Sequence, residues 1–350
     1  MRVTQGSMSR NYINNLNNTL LRYNKSMDKV SSGRRFTKMS DSVADGSRAL
    51  RLRAQIYKNA QMQRNLSTVQ EELNVAETNM LSVKGVLDTA HEQALKVQNG
   101  INEAENEYQI YSSIFSSYKD QVFQWSNAVY GDKYVFGGTN NGGYPFTLNS
   151  NGEMEYNGVN VNDISKDADG NFVYGDPPKK VPYSDDIYVD VGLNVSVNEG
   201  KLDKKTALNI SVSGLEAFGY GTTNVEYLSI DGNLKNYDVP NNIYVIFDEM
   251  AKALDAMDMD KFAALDLQLT EQSRKLMVEV ADIGVRGNYL SSTLSRYEDE
   301  ELTLIEMQTN VEKINDSEEI TTMRSHEYSW QLTLQFGSSF LPQSLMDYLR

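Results

Sequence analysis

LSTVQEELNVAETNMLSVKGVLDTAHEQALKVQ, residues Leu66–Gln98, decides the fold. Its apolar residues fall at Leu66, Val69, Leu73, Ala76, Met80, Val83, Leu87, Ala90, Ala94 and Val97, stepping alternately by three and four. A repeat of about 3.5 residues keeps one stripe of a helix turned toward a partner, so this is the seam of a coiled coil. The same phase continues through Ile101, Ala104, Tyr108, Tyr111, Phe115, Tyr118, Val122, Trp125 and Val129. At about 1.5 Å rise per residue, an unbroken helix over the whole run would be roughly 95 Å long. Asn99-Gly100 is a helix-stop pair inside it, and a turn there would give two antiparallel helices; periodicity leaves both open.

Upstream, a second seam at Ile13, Leu16, Leu20, Tyr23, Met27 and Val30 ends at Ser31-Ser32-Gly33. Downstream, Ile243, Ile246, Met250, Ala253 and Met257 open a third run, continued by Leu265, Leu269, Leu276, Val280, Ile283, Leu290, Leu294, Tyr297 and Leu304. A weaker stretch, Met323, Trp330, Leu334, Leu341 and Leu345, follows, with Pro342 near its end.

The middle differs in kind. It opens on the breaker run Asn140-Asn141-Gly142-Gly143 and holds every proline except Pro342. Ile187, Val189, Val191, Leu193, Val195 and Val197 alternate as in a half-buried strand. Asn151-Gly152, Asn157-Gly158, Asp169-Gly170 and Asp231-Gly232 supply hairpin turns. The expected fold is mainly α with a β-rich insertion: a long antiparallel helical coiled-coil bundle formed by both chain ends, plus a small outer β domain. Neither terminal seam can be buried by its own helix, so the two ends should pack together. The expected division is terminal helices at 1–40 and 315–350 forming an inner coiled coil, a helical bundle domain from 41–138 and 242–314, and the β-rich outer domain at 139–241.

Charge is uneven. The chain carries a net −15, yet Met1–Arg64 holds thirteen Lys/Arg against three Asp/Glu, a net +10. A basic head on an acidic molecule points to an acidic partner surface, for which Glu298-Asp299-Glu300-Glu301 and the carboxylates up to Glu319 are candidates. No cysteine is present, which removes disulfides and thiol chemistry. No run of about eighteen apolar residues offers a membrane span, and the opening residues lack the apolar core of a cleavable signal.

Catalytic patterns are missing. His91-Glu92 lacks the second histidine of a zinc-protease motif, so a surface or seam-flanking residue is the better reading. Ser165, Asp167, Asp169, Gly170 and Asp176 touch EF-hand positions but sit in strand-like sequence, where a hairpin turn is the better reading. Arg34, Arg35, Lys38, Arg48, Arg51, Arg53 and Lys58 lack the aromatic platform of a nucleic-acid module and read as a solvated or acid-paired face. No enzyme, cofactor or metal site is expected, and neither nucleic acid nor membrane as a partner.

Residues Lys29–Leu50, KVSSGRRFTKMSDSVADGSRAL, resemble the N-terminal signature of the flagellin superfamily, with Ser31, Ser32, Gly33, Arg34 and Asp41 in its loop. ADIGVRGNYLSSTL, from Ala281, and LPQSLMDYLR, at the end, resemble its C-terminal stretches. The matches cover roughly 1–135 and 245–350. Ser40-Asp41-Ser42 departs from the usual acidic pair. GDKYVFGGTNNGGYPF, from Gly131, and SVSGLEAFGYG, ending at Gly221, resemble segments of the superfamily's hook–filament junction branch. The resemblance implies a turn at Asn99-Gly100. It also implies a structural subunit of the bacterial flagellum, exported by the flagellar secretion apparatus without a cleaved signal peptide. Such a subunit forms a homo-oligomeric ring that joins hook to filament, beside hook-associated and flagellin subunits, after binding an export chaperone. The alternatives are a flagellin forming the filament itself, or a cytoplasmic coiled-coil binding protein with a basic head.

Overall fold

The computed structural model describes residues 5–100, 105–140, 142–192, 195–198, 201–203, 206–228 and 234–340. Six long helices and one short one are described. These are α1 (Gln5–Ser32), α2 (Val43–Gly100), α3 (Glu105–Ser126), α4 (Gly214–Phe218), α5 (Ile243–Asp255), α6 (Met259–Glu312) and α7 (Asp316–Phe340). Among the described residues, fourteen short strands lie between Val129 and Pro240. The chain forms two compact units, one of Met1–Gln61 with Tyr297–Arg350, the other of Met62–Arg296. The architecture is the helical one, with a β-rich insertion, that the periodicity expects.

In the larger unit, every seam residue of α2 from Leu66 to Val97 is buried. Buried His91-facing Asp266 ties α2 to α6: His91 Nδ1 lies 2.8 Å from one carboxylate oxygen, and Gln98 Nε2 donates to the other at 3.1 Å. α2 is described to Gly100 and α3 from Glu105, and the seam lies on both; Ile101 and Ala104 lie outside the described residues. Phe115 and Val122 of α3 are buried, and Tyr108, Tyr111, Tyr118 and Trp125 are half-buried. Phe115 meets Phe262 edge-on, with ring centroids 5.5 Å apart. Val129 is not in the seam: it is half-exposed in β1 (Val129–Tyr130). Asn127 ends the helix by pairing with the backbone of Phe146, accepting its N–H at 3.1 Å and donating to its carbonyl at 3.0 Å.

Ile243, Ile246, Met250 and Ala253 are buried on α5, whose start is capped by Asn242. Met257 departs from the run. It lies exposed in the α5–α6 turn at φ 55°, where the next helix starts under the Asp258 side chain. On α6 the residues from Leu265 to Leu290 in the run are buried, Leu294 only half so, and Thr293 is buried beside it.

The insertion is a set of small antiparallel sheets. One is three-stranded: β3 (Phe146–Leu148), β4 (Met154–Tyr156) and β5 (Val159–Asn160). The β3–β4 turn holds Asn151-Gly152. Asn157-Gly158 closes β4–β5 with both residues at positive φ, as a type I′ turn requires. Asp169-Gly170 turns β6 (Ile164–Lys166) into β7 (Phe172–Tyr174), and Asp231-Gly232 lies outside the described residues. The alternating run from Ile187 is not one strand. Among its described residues the strands are Tyr188–Val189 and Val197–Asn198, Val197 is exposed, and Leu193 lies outside the described residues. Gly192 breaks it at φ 87°, its N–H donating to the Asp190 carboxylate at 2.7 Å.

Candidate functional site

α1 and α7 lie antiparallel in the smaller unit. Tyr23 stacks on Trp330 with centroids 6.0 Å apart and planes 3° from parallel. Lys29 Nζ lies 3.4 Å from Glu319 Oε1. A Cβ on Gly337 would fall 2.0 Å from the Tyr12 hydroxyl. The face of α1 turned to α7 is therefore Tyr12, Leu16, Thr19, Tyr23, Ser26 and Val30, with Leu20 half-buried beside it. Ile13 and Met27 are not on it; both are exposed. Leu334 is exposed on α7 as well, and Leu341 and Leu345 lie outside the described residues. Ser26 is the one side chain of α1 with less than a tenth of its surface exposed among the described residues.

The loop after α1 locks onto the α6–α7 corner. Gly33 sits at φ 66°, the left-handed helix end that favours glycine, and its carbonyl accepts from Ile314 N–H at 3.2 Å. Ser31 and Ser32 hydroxyls donate back to the carbonyls of Asp28 and Lys29, and Ser32 Oγ accepts the Arg34 N–H. Arg34 bridges Lys313 through the backbone, and Arg35 N–H donates to the Glu312 carbonyl at 2.7 Å. Asp41 closes the loop: a hydrogen bond from the Lys25 ammonium, helped by the Lys38 N–H, holds its carboxyl below the usual range. Beneath, Ala49 and Leu52 of α2 pack with Leu304 and Val311 of α6, covered by Phe36 and Ile56. Arg53 grips Glu312 with two hydrogen bonds, Nε at 3.0 Å and Nη2 at 2.9 Å. Burial pushes the Glu312 carboxyl up, but the bonds from Arg53 and Gln308 outweigh it and leave the group below its ordinary value. The pairing of basic head with acidic tail is thus partly internal. Sequence reasoning missed Arg53–Glu312, which joins residues far apart along the chain; only the charge asymmetry hinted at it.

In the larger unit the two junction-like segments meet. Phe136 stands edge-on to Phe218 at 4.9 Å, Gly137 bridges Ser213, and Phe146 lies across Phe218 at 5.6 Å. A Cβ on Gly214 would fall 2.8 Å from the Phe136 carbonyl oxygen and 2.8 Å from the Phe146 ring. The glycines and phenylalanines of both segments therefore make one tightly closed core.

Little here invites chemistry. Asp167 of the former EF-hand candidate accepts N–H groups from Asp169 and Asn171, and these bonds hold its carboxyl below the usual range. A polar cleft of about 440 Å³ is lined by Tyr156, Lys180, Asp185, Asp186, Ser211 and Arg286. Its charges are turned on one another: Lys180 pairs with Asp185, and Arg286 pairs with Asp282 and donates to Ser211 O. Among the described residues no helix is long and apolar enough to cross a membrane.

Residues 3–141 match the family model of the bacterial flagellin N-terminal helical region. The head of this chain is thus similar to the N-terminal helical region of bacterial flagellins. The fold of this flagellin-like chain is shared with solved structures of low identity. A Vibrio parahaemolyticus protein assigned as a flagellar hook-associated protein is 17% identical, with a TM-score of 0.56 over 78% of this chain and 100% of that one. FlgL of Xanthomonas campestris is 14% identical, with a TM-score of 0.51 over 75% and 99%. Flagellar hook-associated protein-3 of Legionella pneumophila is 13% identical, with a TM-score of 0.51 over 74% and 98%. No curated protein sequence matches the chain.

Proposed function

We propose that this chain is a non-enzymatic structural subunit of the bacterial flagellum, an adaptor that joins the hook to the flagellin filament. The observation that carries the reading is a pair of chain ends joined to one another but hardly buried. α1 and α7 stack through Tyr23 and Trp330, yet leave Met8, Ile13, Leu21, Met27, Leu334 and Phe336 exposed. Scattered exposed apolar residues are ordinary, but a helix pair with almost no core of its own needs further burial to be stable. A flagellin-type head on a hook-associated fold supplies the setting. In this reading Leu16, Leu20, Val30 and Trp330 hold the ends together, and Ile13, Met27 and Leu334 are offered to neighbouring subunits. The partners are further copies in a ring, the adjoining hook-associated protein and flagellin, and before export a chaperone at the C-terminal helix. The place of action is outside the cell, reached through the flagellar export apparatus.

Deletion of the gene tests this. Hooks without filaments, with flagellin released to the medium, are expected. Filaments of normal length on the deletion strain overturn the adaptor role, and short filaments rebuilt by the protein itself identify a filament subunit instead.

A further inference from the structure

The smaller unit carries two exposed helix faces of opposite charge, each with an apolar stripe. On α2, Val43, Leu50 and Tyr57 are spaced by seven residues and so fall on nearly one line of the helix. Their relative exposures are 70%, 53% and 67%. Arg51 and Lys58 flank this line, exposed and without an ion-pair partner among the described residues. On α6, Leu302 and Ile305 are exposed at 68% and 43%. Asp299 and Glu306 flank them, likewise exposed and without an ion-pair partner among the described residues. The core between the helices is made by Leu52 and Ala49 against Leu304 and Val311. Leu52 lies across its helix from Val43, and Val311 lies across from Leu302, so the two stripes point away from each other.

We infer that the basic α2 stripe of one copy docks on the acidic α6 stripe of the next. This rests on the reading of the chain as a self-assembling subunit and names the surface that does it. A second copy is the occupant because the two faces carry opposite charge and each has an apolar stripe for the other to cover. The faces are different surfaces of one unit, so the contact is head-to-tail and leaves a free face at each end. Such a contact propagates into a ring or a helical row and does not stop at a dimer.

The chain has no cysteine, which makes directed cross-linking unambiguous. Full-length protein carrying both Leu50→Cys and Leu302→Cys, oxidised at high concentration in low salt, should give a ladder of covalent multimers. An equimolar mixture of the two single variants should stop at the dimer, and neither single variant should cross-link alone. Arg51→Glu with Lys58→Glu should abolish the ladder, and adding Asp299→Lys with Glu306→Lys to the same chain should restore it. All substituted positions are exposed, and unchanged helix content by circular dichroism checks that each variant folds. Dimerisation of Leu50→Cys alone, a ladder indifferent to charge reversal, or a chain monomeric throughout overturns the proposal. Returning the charge-reversed gene to the deletion strain separates this from the adaptor reading. Restored filaments reject these faces and leave the adaptor standing, whereas normal filaments on the deletion strain itself reject the adaptor whatever the ladder shows.

Discussion

Gly33 and Gly214 are glycines for different physical reasons, and substitution separates them. Nothing lies within 4 Å of where a Gly33 Cβ would stand, so only its φ of 66° matters there. Gly33→Ala should cost about 1–2 kcal/mol, the penalty of left-handed backbone, and Gly33→Asn distinctly less. Gly214→Ala drives a methyl into the Phe136 carbonyl and the Phe146 ring and should cost about 1–3 kcal/mol or more. Thermal melts of the three variants check the order, and equal losses at Gly33→Ala and Gly33→Asn would refute the backbone argument. Glu312 gives a pH prediction. Its carboxyl is held below the ordinary value, so its contribution is present above that value and is lost as pH falls through the lower, folded one. Arg53 is 46% exposed, which limits the pair to about 1 kcal/mol. Glu312→Gln should lower stability by that amount at pH 7 and by progressively less as the pH falls below the ordinary carboxylate range; a loss that persists undiminished in acid would mean the side chain matters for packing instead. The pair itself was not legible, because a charge excess says which ends attract but not which residues meet.

At the scale of elements, legibility followed how much of the stripe is apolar. From Leu66 to Val97 in α2 the buried positions are all Leu, Val, Ala or Met, so that stretch of the seam reads directly from the sequence. In α1 the inward face is Tyr12, Leu16, Thr19, Tyr23, Ser26 and Val30, and the polar Tyr12 and Ser26 are outweighed in the sequence by their exposed neighbours Ile13 and Met27. Apolarity therefore points one residue off at Ile13 and Met27, while Leu16, Tyr23 and Val30 lie on the inward face. The alternating run from Ile187 failed for another reason: a period of two says nothing of the backbone turn at Gly192. The junction-like segments are two separate pieces of the sequence, and only folding shows that Phe136 and Phe218 are neighbours. Two substitutions test the phase. Leu87→Asp places a carboxylate at a fully buried seam position and should abolish folding of the larger unit, whereas Ile13→Ala should stay within about 0.5 kcal/mol in the isolated protein. Wild-type helix content and melting for Leu87→Asp, by circular dichroism, would show that the seam is not the core.

For the molecule as a whole, the unequal burial sets the order in which it comes apart. α2, α5 and α6 hold most of the buried side chains of the helices, whereas α1 contributes only Ser26 among its described residues. Ordering a helical residue costs about 1–2 kcal/mol of backbone entropy, and short helices without tertiary burial rarely persist in water. The stack of Tyr23 on Trp330 and the part-buried Lys29–Glu319 contact fix how α1 and α7 meet, but stacked rings contribute about 0.5–1.5 kcal/mol and one ion pair as long as 3.4 Å adds little more. The α1–α7 pair should therefore open far more often than the rest of the chain in the free subunit, and be held shut only when neighbours cover its exposed apolar residues. Local opening exposes backbone to proteases in proportion to its population. Brief trypsin treatment of the free protein should cut first after Arg10, Arg22 and Arg324 and leave a resistant fragment from about residue 40 to 310. Incorporation into hook–filament junctions should protect all three sites. Resistance of α1 and α7 in the free protein, on the same timescale as Arg274 on α6, would show that the two ends are stable without partners and would remove the physical basis for completing them by assembly.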